Sequence, residues 1–384
     1  MIPNNLKVLI VSTDRRILEE KSAVSERMKE YSALVGELYI VLLSDSNHGL
    51  KETKLAENVW VYPTNSSFKI FRPRDAAKLG KKIVFEKKFV RGESLITVQD
   101  PFECGWAGIR VKRKWRIPLE VQLHTDPFSP YFSGFLNRVR RRLAKKVIQK
   151  ADSIRVVSRA VGEKLVQKFR HSAGRISVLP IYIEKDKIEN APVLFDLHAR
   201  FSWRFVILAV SRLTKEKNIP LALETLALIK QKFPDTGLVI VGAGPEESKL
   251  KKLAKKLNLE RNVAFEGWQE NLASYYKTAN VFIQTSRFEG YGLSLVKAGL
   301  SGLPIVTTPV GIALEFENGK EAYICPPNNA EYFAGVILDL LENNQKRENL
   351  SVGMKDFLGT HLISKDEYLE QLKNNWEKTA RQVS

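Results

Sequence analysis

Two cations and a carboxylate, far apart in the chain, define the chemistry open to this sequence. Arg212 and Lys217 bracket the turn Ser211-Arg212-Leu213-Thr214-Lys215-Glu216-Lys217-Asn218, between an apolar run at 205–210 and a helix starting near Pro220. Cations beside a helix start suit a diphosphate, because the first turn presents unpaired N–H groups and Arg grips phosphate oxygens in a fork. The carboxylate lies in residues 281–310, VFIQTSRFEGYGLSLVKAGLSGLPIVTTPV. Here a short apolar strand leads through Glu289-Gly290-Tyr291-Gly292 to a helix from about Leu293, then to a second strand. Strand, glycine turn, helix and strand make a βαβ unit, whose ligands bind at the strands' carboxyl ends. Gly290 and Gly292 let the backbone approach an anionic group, and the N–H groups near Gly292 and Leu293 point outward. Of five histidines, only His124, in Val121-Gln122-Leu123-His124-Thr125-Asp126, stands at a strand end. Asp126 is a second candidate there, or a cap for the next segment. Arg15 and Arg16, in the turn after the first strand, meet an anionic group or form a plain surface turn.

Strands read at 7–13, 37–43, 59–63, 94–99, 121–126, 153–158, 176–180, 205–210, 238–245, 263–268, 281–283 and 305–308. Helical periodicity covers 18–34, 74–89, 132–150, 160–169, 329–343, 346–358 and 365–380. The alternation predicts an α/β protein with mostly parallel sheets. At 384 residues the chain exceeds a usual single core, which predicts two domains. The polar stretch 183–200 reads as a linker.

Two cysteines make no disulfide framework, no signal-peptide pattern opens the chain, and no apolar run has membrane-span length. These features predict a cytoplasmic setting. Net charge is +18, and residues 1–200 hold 38 Lys and Arg against 22 Asp and Glu, so the excess lies in the first half. That asymmetry predicts an anionic partner. Residues 132–150, FSGFLNRVRRRLAKKVIQK, form a basic amphipathic helix. Arg138, Arg141, Arg142, Lys145 and Lys146 would meet an anionic membrane surface, or be solvated charges on an ordinary domain helix. No Asp-x-Asp pair and no zinc pattern occurs, so no metal or other cofactor is expected.

Ser286, Glu289, Gly290, Ala298, Gly302, Pro304 and Val306 resemble the signature of retaining glycosyltransferases of family GT4, and Arg212 and Lys217 keep that family's spacing. The resemblance is strong over 204–345 and loose over 1–185. It implies a GT-B-like fold of two doubly wound Rossmann-like domains with an interdomain cleft. The expected domains are an acceptor-side domain at 1–185, completed by a helix at 365–384, and a nucleotide-sugar domain at 190–364. It implies that Arg212 and Lys217 hold the donor's diphosphate and that His124 contacts the donor sugar, which identifies His124 and Glu289 as catalytic candidates. Gly290 and Tyr291 fall in the sugar region. The family's second Glu, a ribose ligand, is replaced by Lys297, whose ammonium donates but cannot accept.

The expected function is metal-independent, retaining transfer of a sugar from a UDP- or GDP-linked donor. The expected acceptor is an anionic or membrane-associated glycan or lipid, on the inner face of the cell membrane. The alternatives are a non-catalytic nucleotide-sugar or glycan-binding relative, given Lys297, and a nucleic-acid-binding α/β protein. The last ranks lowest because the chain has no nucleic-acid-binding motif.

Overall fold

In the computed structural model, residues 5–129, 134–169 and 174–382 are described. The chain divides into two compact units, residues 1–181 with 364–384, and residues 182–363.

In the first unit, β1 (Lys7–Ser12), α1 (Ala23–Ser32), β2 (Glu37–Leu42), β3 (Thr53–Ala56), β4 (Val59–Pro63) and α2 (Arg72–Glu86) come first. They are followed by β5 (Ser94–Val98), α3 (Glu103–Trp115), β6 (Leu119–Leu123), α4 (Phe135–Lys150), β7 (Ser153–Val156), α5 (Arg159–Lys168) and β8 (Ile176–Val178). The sheet order is β3-β4-β2-β1-β5-β6-β7-β8. Every neighbouring pair is parallel except β3 with β4. Central strands such as Lys7-Val8-Leu9-Ile10-Val11-Ser12 are apolar on both faces, as a sheet covered by helices on each side demands.

The second unit runs α6 (Lys185–Glu189), α7 (Leu197–Arg200), β9 (Phe205–Val210), α8 (Ile219–Lys232), β10 (Thr236–Val241), α9 (Glu247–Lys256), β11 (Val263–Gly267) and α10 (Ala273–Thr278). It continues with β12 (Val281–Gln284), α11 (Leu293–Leu300), β13 (Ile305–Thr307), β14 (Tyr323–Ile324), α12 (Ala330–Glu342) and α13 (Asn344–His361). Its sheet order is β11-β10-β9-β12-β13-β14, parallel throughout.

The last helix, α14 (Lys365–Ala380), belongs to the first unit. Its Trp376 is fully buried, packs edge-on against Tyr31 at 5.6 Å, and donates to Glu120 Oε1 at 3.3 Å. Tyr368 on the same helix bonds Tyr31 at 2.9 Å and accepts from Arg155 at 3.5 Å. Thr97 also donates to Glu120 Oε1, at 2.7 Å, so one oxygen of this buried carboxylate takes both donors, with Arg155 Nε 3.9 Å away and Oε2 without a hydrogen bond among the described residues. A buried charge survives only when so compensated.

Three sequence expectations need correcting, and one helix was missed. The stretch 183–200 is no free linker: Leu197 is buried, Phe195 packs on Tyr275 at 4.9 Å, and Lys277 Nζ donates to the Glu189 and Ala191 carbonyls. The helix expected over 18–34 is a 3-10 turn at Arg15–Leu18 and then α1, because Ser22 caps the Ser25 N–H and restarts the helix. β6 lies at 119–123, so His124 falls just past its end. Helix α3 was not foreseen; its interior Gly105 and Gly108 weaken helix propensity but allow close packing. A Cβ at Gly108 would stand 2.7 Å from Val98 Cγ1.

Candidate active site

The turn carrying Arg212 and Lys217 is shaped by a neighbouring turn. Gly242 has φ +134°, and a Cβ there would stand 1.8 Å from the Ser211 carbonyl oxygen. Backbone bonds Ser211 N–H to Val241 O and Leu213 N–H to Ala243 O, both 3.0 Å, hold the two turns together. Asn218, at φ 51°, closes the 3-10 turn Lys215–Lys217, and Pro220 follows in the first turn of α8.

The turn after β12 is tied to the same loop. Thr285 Oγ1 donates to the Lys217 and Asn218 carbonyls at 3.1 and 3.0 Å, and Arg287 N–H donates to Glu216 O at 2.8 Å. These bonds carry Lys217 to Glu289. Lys217 Nζ stands 2.6 Å from Glu289 Oε1, with side chains 13% and 10% exposed. Ser286 Oγ donates to the same oxygen at 2.8 Å, and Ser286 O in turn accepts from Thr308 Oγ1 at 2.5 Å. The hydrogen bonds of Glu289 with Lys217 and Ser286 both fall on Oε1, and Oε2 makes none with a described residue. Behind the loop, Gly311 (φ 62°) leaves no room for a Cβ, which would meet Tyr291 O at 2.4 Å.

Arg212 joins by way of Glu216. Its Nη2 is 3.5 Å from Glu216 Oε1, and the guanidinium is 75% exposed while Glu216 is buried. Arg212, Lys217 and Glu289 thus share one pair of interlocked loops at the carboxyl edge of the sheet. Gly292 (φ 102°) precedes α11, whose first-turn N–H groups at Leu293 and Ser294 have no intrahelical partners. Together these groups are cationic and rich in donors, with one acceptor oxygen, which fits a phosphorylated polyol. Gly290 is half-buried in this loop. Tyr291 is buried, its carbonyl accepts from Ile312 N–H at 2.7 Å, and burial, then nearby Glu315, push its phenol up to about 12. Lys297 is half-buried on α11, and its ammonium pairs with no described residue. Sequence reasoning gave no role to Glu216 or Thr285 and named Ser286 only as part of the family signature; Glu216 and Thr285 lie in turns with no side-chain pattern to mark them.

In the first unit, His124 reaches the surface yet is densely surrounded. Desolvation, then the Arg155 and Arg27 cations, hold its pKa down at about 4, so the ring is neutral at physiological pH. Asp126 closes a local turn, accepting from Phe128 N–H at 2.8 Å. Arg16 is engaged in a fork to Asp14, at 3.1 and 2.9 Å. Arg15 turns the other way, to His48 Nε2. On α4, Ala144, Val147 and Ile148 are buried, whereas Phe135, Leu136 and Val139 are exposed beside Arg138 and Arg142. The helix start expected at 132 includes residues outside the described ones. Among the described residues no helix is long and apolar enough to cross a membrane, and no group of three His, Cys, Asp or Glu is placed to hold a metal ion.

Residues 196–355 match the family model of glycosyl transferases group 1, and residues 39–187 match that of Glycosyltransferase Family 4. The chain is 27% identical over 283 residues to alpha-monoglucosyldiacylglycerol synthase of Acholeplasma laidlawii, covering 68% of this chain and 69% of that protein. It is 28% identical over 184 residues to poly(glycerol-phosphate) alpha-glucosyltransferase of Bacillus subtilis, covering 47% of this chain and 26% of that one. The chain therefore spans only part of these relatives. Anabaena HepE, solved in complex with UDP, superposes with a TM-score of 0.75 at 19% identity, covering 97% of this chain and 100% of that one. The group 1 match lies within the second unit and takes in both interlocked loops, the Family 4 match lies almost wholly in the first, and the chain belongs to the GT4-type glycosyltransferases of the GT-B fold.

Proposed function

We propose that this glycosyltransferase moves a hexose from a nucleoside diphosphate sugar to a lipid or glycan acceptor at an anionic membrane surface. The observation that carries the reading is the Lys217–Glu289–Ser286 cluster beside Arg212 and the start of α11. Arg212, Lys217 and the Leu293 N–H neutralise the diphosphate as it leaves, which removes the need for a metal. Glu289 Oε2 accepts from a sugar hydroxyl, and its charge stabilises the positive charge growing on the ring. A role for His124 toward the donor sugar follows the GT4 resemblance alone; its neutral ring carries one donor and one acceptor. Transfer with retention follows the GT4 resemblance.

Two relatives support the acceptor class: one is named for a glucosyldiacylglycerol product, the other for a poly(glycerol phosphate) acceptor. The UDP complex of HepE supports a uridine donor. The exposed Phe135, Leu136 and Val139 of α4, with Arg138, Arg141, Arg142, Lys145 and Lys146, support peripheral docking on the inner face of the membrane.

A thermal-shift series with UDP, GDP and their glucose and mannose conjugates tests the donor, since a ligand of the native state raises its melting temperature. Radiolabel from the stabilising donor should then enter membrane lipids with the wild type and not with Glu289→Ala. The anomeric configuration of the product checks retention, and activity after chelation checks metal independence. No stabilisation by any nucleotide would refute the reading.

A further inference from the structure

Helix α11 closes the second of the interlocked loops, and its orientation is fixed from behind. Leu295, Val296, Ala298, Gly299 and Leu300 are buried. A Cβ at Gly299 would stand 2.5 Å from Met354 Cγ, so α11 lies hard against α13 and cannot roll on its axis. The open face of its first turns carries Leu293, Ser294 and Lys297. Ser294 Oγ is taken, donating to Gln284 Oε1 at 3.2 Å. Lys297 is half-buried and makes no hydrogen bond or ion pair with a described residue.

Lys297 lies four residues beyond Leu293, hence on the same face and about 6 Å farther along the axis. Helical side chains lean toward the amino terminus, which aims the four-carbon stem of Lys297 back at the first-turn N–H groups. Those are the groups that face a diphosphate. The ribose of a nucleotide asks for the opposite chemistry. In doubly wound folds a carboxylate accepts from ribose hydroxyls, whereas a cation there accommodates phosphate. The sequence of α11, Leu-Ser-Leu-Val-Lys-Ala-Gly-Leu, holds no acid. In the interlocked loops Glu289 is bound by Lys217 and Ser286, and Glu216 is buried beside Arg212. An ammonium donates and never accepts, and phosphate oxygens are stronger acceptors for it than a hydroxyl.

We propose that Lys297 sets donor specificity: it gives the diphosphate a third cation beside Arg212 and Lys217, leaves the ribose 2′-hydroxyl unread, and so admits donors built on 2′-deoxyribonucleotides, thymidine diphosphate sugars included, alongside ribonucleotide ones. The assignment rests on the nucleotide-sugar reading above and names the donor class of that same site. A site that bonds a substrate hydroxyl rejects the analogue lacking it, because its own polar group is then left unpaired. The 2′-hydroxyl is the one group by which a protein tells ribose from deoxyribose, and α11 presents no acceptor to it.

The test is calorimetric titration of the full chain with UDP against dUDP and with GDP against dGDP, pairs that differ only in the 2′-hydroxyl. The wild type should bind both members of its preferred pair within about threefold of each other. K297Q should bind both about tenfold more weakly, because one charge-assisted bond to the diphosphate is gone. K297E should weaken both by repulsion yet favour the ribonucleotide by about tenfold, since a carboxylate now accepts from the diol. Thermal unfolding without ligand shows that each variant is folded. A wild type that prefers the ribonucleotide by more than about tenfold overturns the proposal, because a different residue then holds the diol. So does K297Q with wild-type affinity for both nucleotides, or K297E with the wild-type ratio between them. Binding of none of the four nucleotides defeats the donor reading itself; binding of the ribonucleotides alone defeats only the role given to Lys297.

Discussion

Glu289→Gln separates two roles that a larger truncation would merge. The amide keeps the shape of the side chain, and its oxygen still accepts from Ser286 Oγ and Lys217 Nζ, now 2.8 and 2.6 Å from Oε1. What disappears is a negative charge beside a cation that is 13% exposed. A charged hydrogen bond contributes about 1.5–3 kcal/mol net and a neutral one about 1, so the expected cost is about 1–2 kcal/mol of stability. For a unit of this size that is a fall of about 2–8 °C in melting temperature. Donor binding should move the opposite way. A partly exposed carboxylate beside a bound diphosphate repels it by about 1–2 kcal/mol at an effective dielectric constant of about 20. UDP affinity should therefore rise about five- to thirty-fold, while transfer falls at least ~100-fold because charge on the sugar ring loses its stabiliser. Calorimetric titration with UDP and single-turnover transfer read the two effects. UDP affinity that falls together with activity would refute the reasoning, since Glu289 would then be holding the diphosphate loop in shape rather than serving the sugar.

Gly242→Ala should cost over ~3 kcal/mol and weaken UDP binding, because its Cβ would displace the Ser211 carbonyl and with it Arg212; chemical denaturation and UDP titration check both. The His124 resonance should titrate near 4 by NMR. Because its folded pKa lies below the usual value near 6.5, the folded state binds fewer protons than the unfolded state between those two values. The group's stability contribution is then full above about 6.5 and declines as pH falls towards 4, and His124→Ala should flatten that slope in urea midpoints. Lys297→Glu should change UDP affinity several-fold if the position faces the ribose; equal affinity in both forms removes Lys297 from the donor site. Trp376→Ala, which empties a fully buried site and removes a donor from Glu120, should cost about 3–5 kcal/mol by thermal unfolding.

The order of strands and helices was legible because parallel strands buried on both faces are continuous apolar runs, as in Phe205–Val210 and Thr236–Val241. β3 escaped notice because it is a four-residue edge strand of mixed character, Thr53-Lys54-Leu55-Ala56, paired only with β4. α9 was passed over although Leu250 and Ala254 give it a buried stripe. Arg212, Lys217 and Glu289 could be named from spacing, since each sits in a turn after an apolar strand. Their partners could not: Thr285 and Arg287 reach across to the 216–218 turn through backbone carbonyls, which no side-chain pattern records.

The return of α14 to the first unit bears on biosynthesis. A ribosome makes residues 1–181 first, yet Glu120 and Arg155 wait in that segment for Trp376 and Tyr368, which emerge nearly two hundred residues later. Until then the nascent amino-terminal unit carries an uncovered ion pair and an open apolar seat for an indole. Maturation of this protein is consequently a two-stage affair, with the second unit able to complete itself before the first.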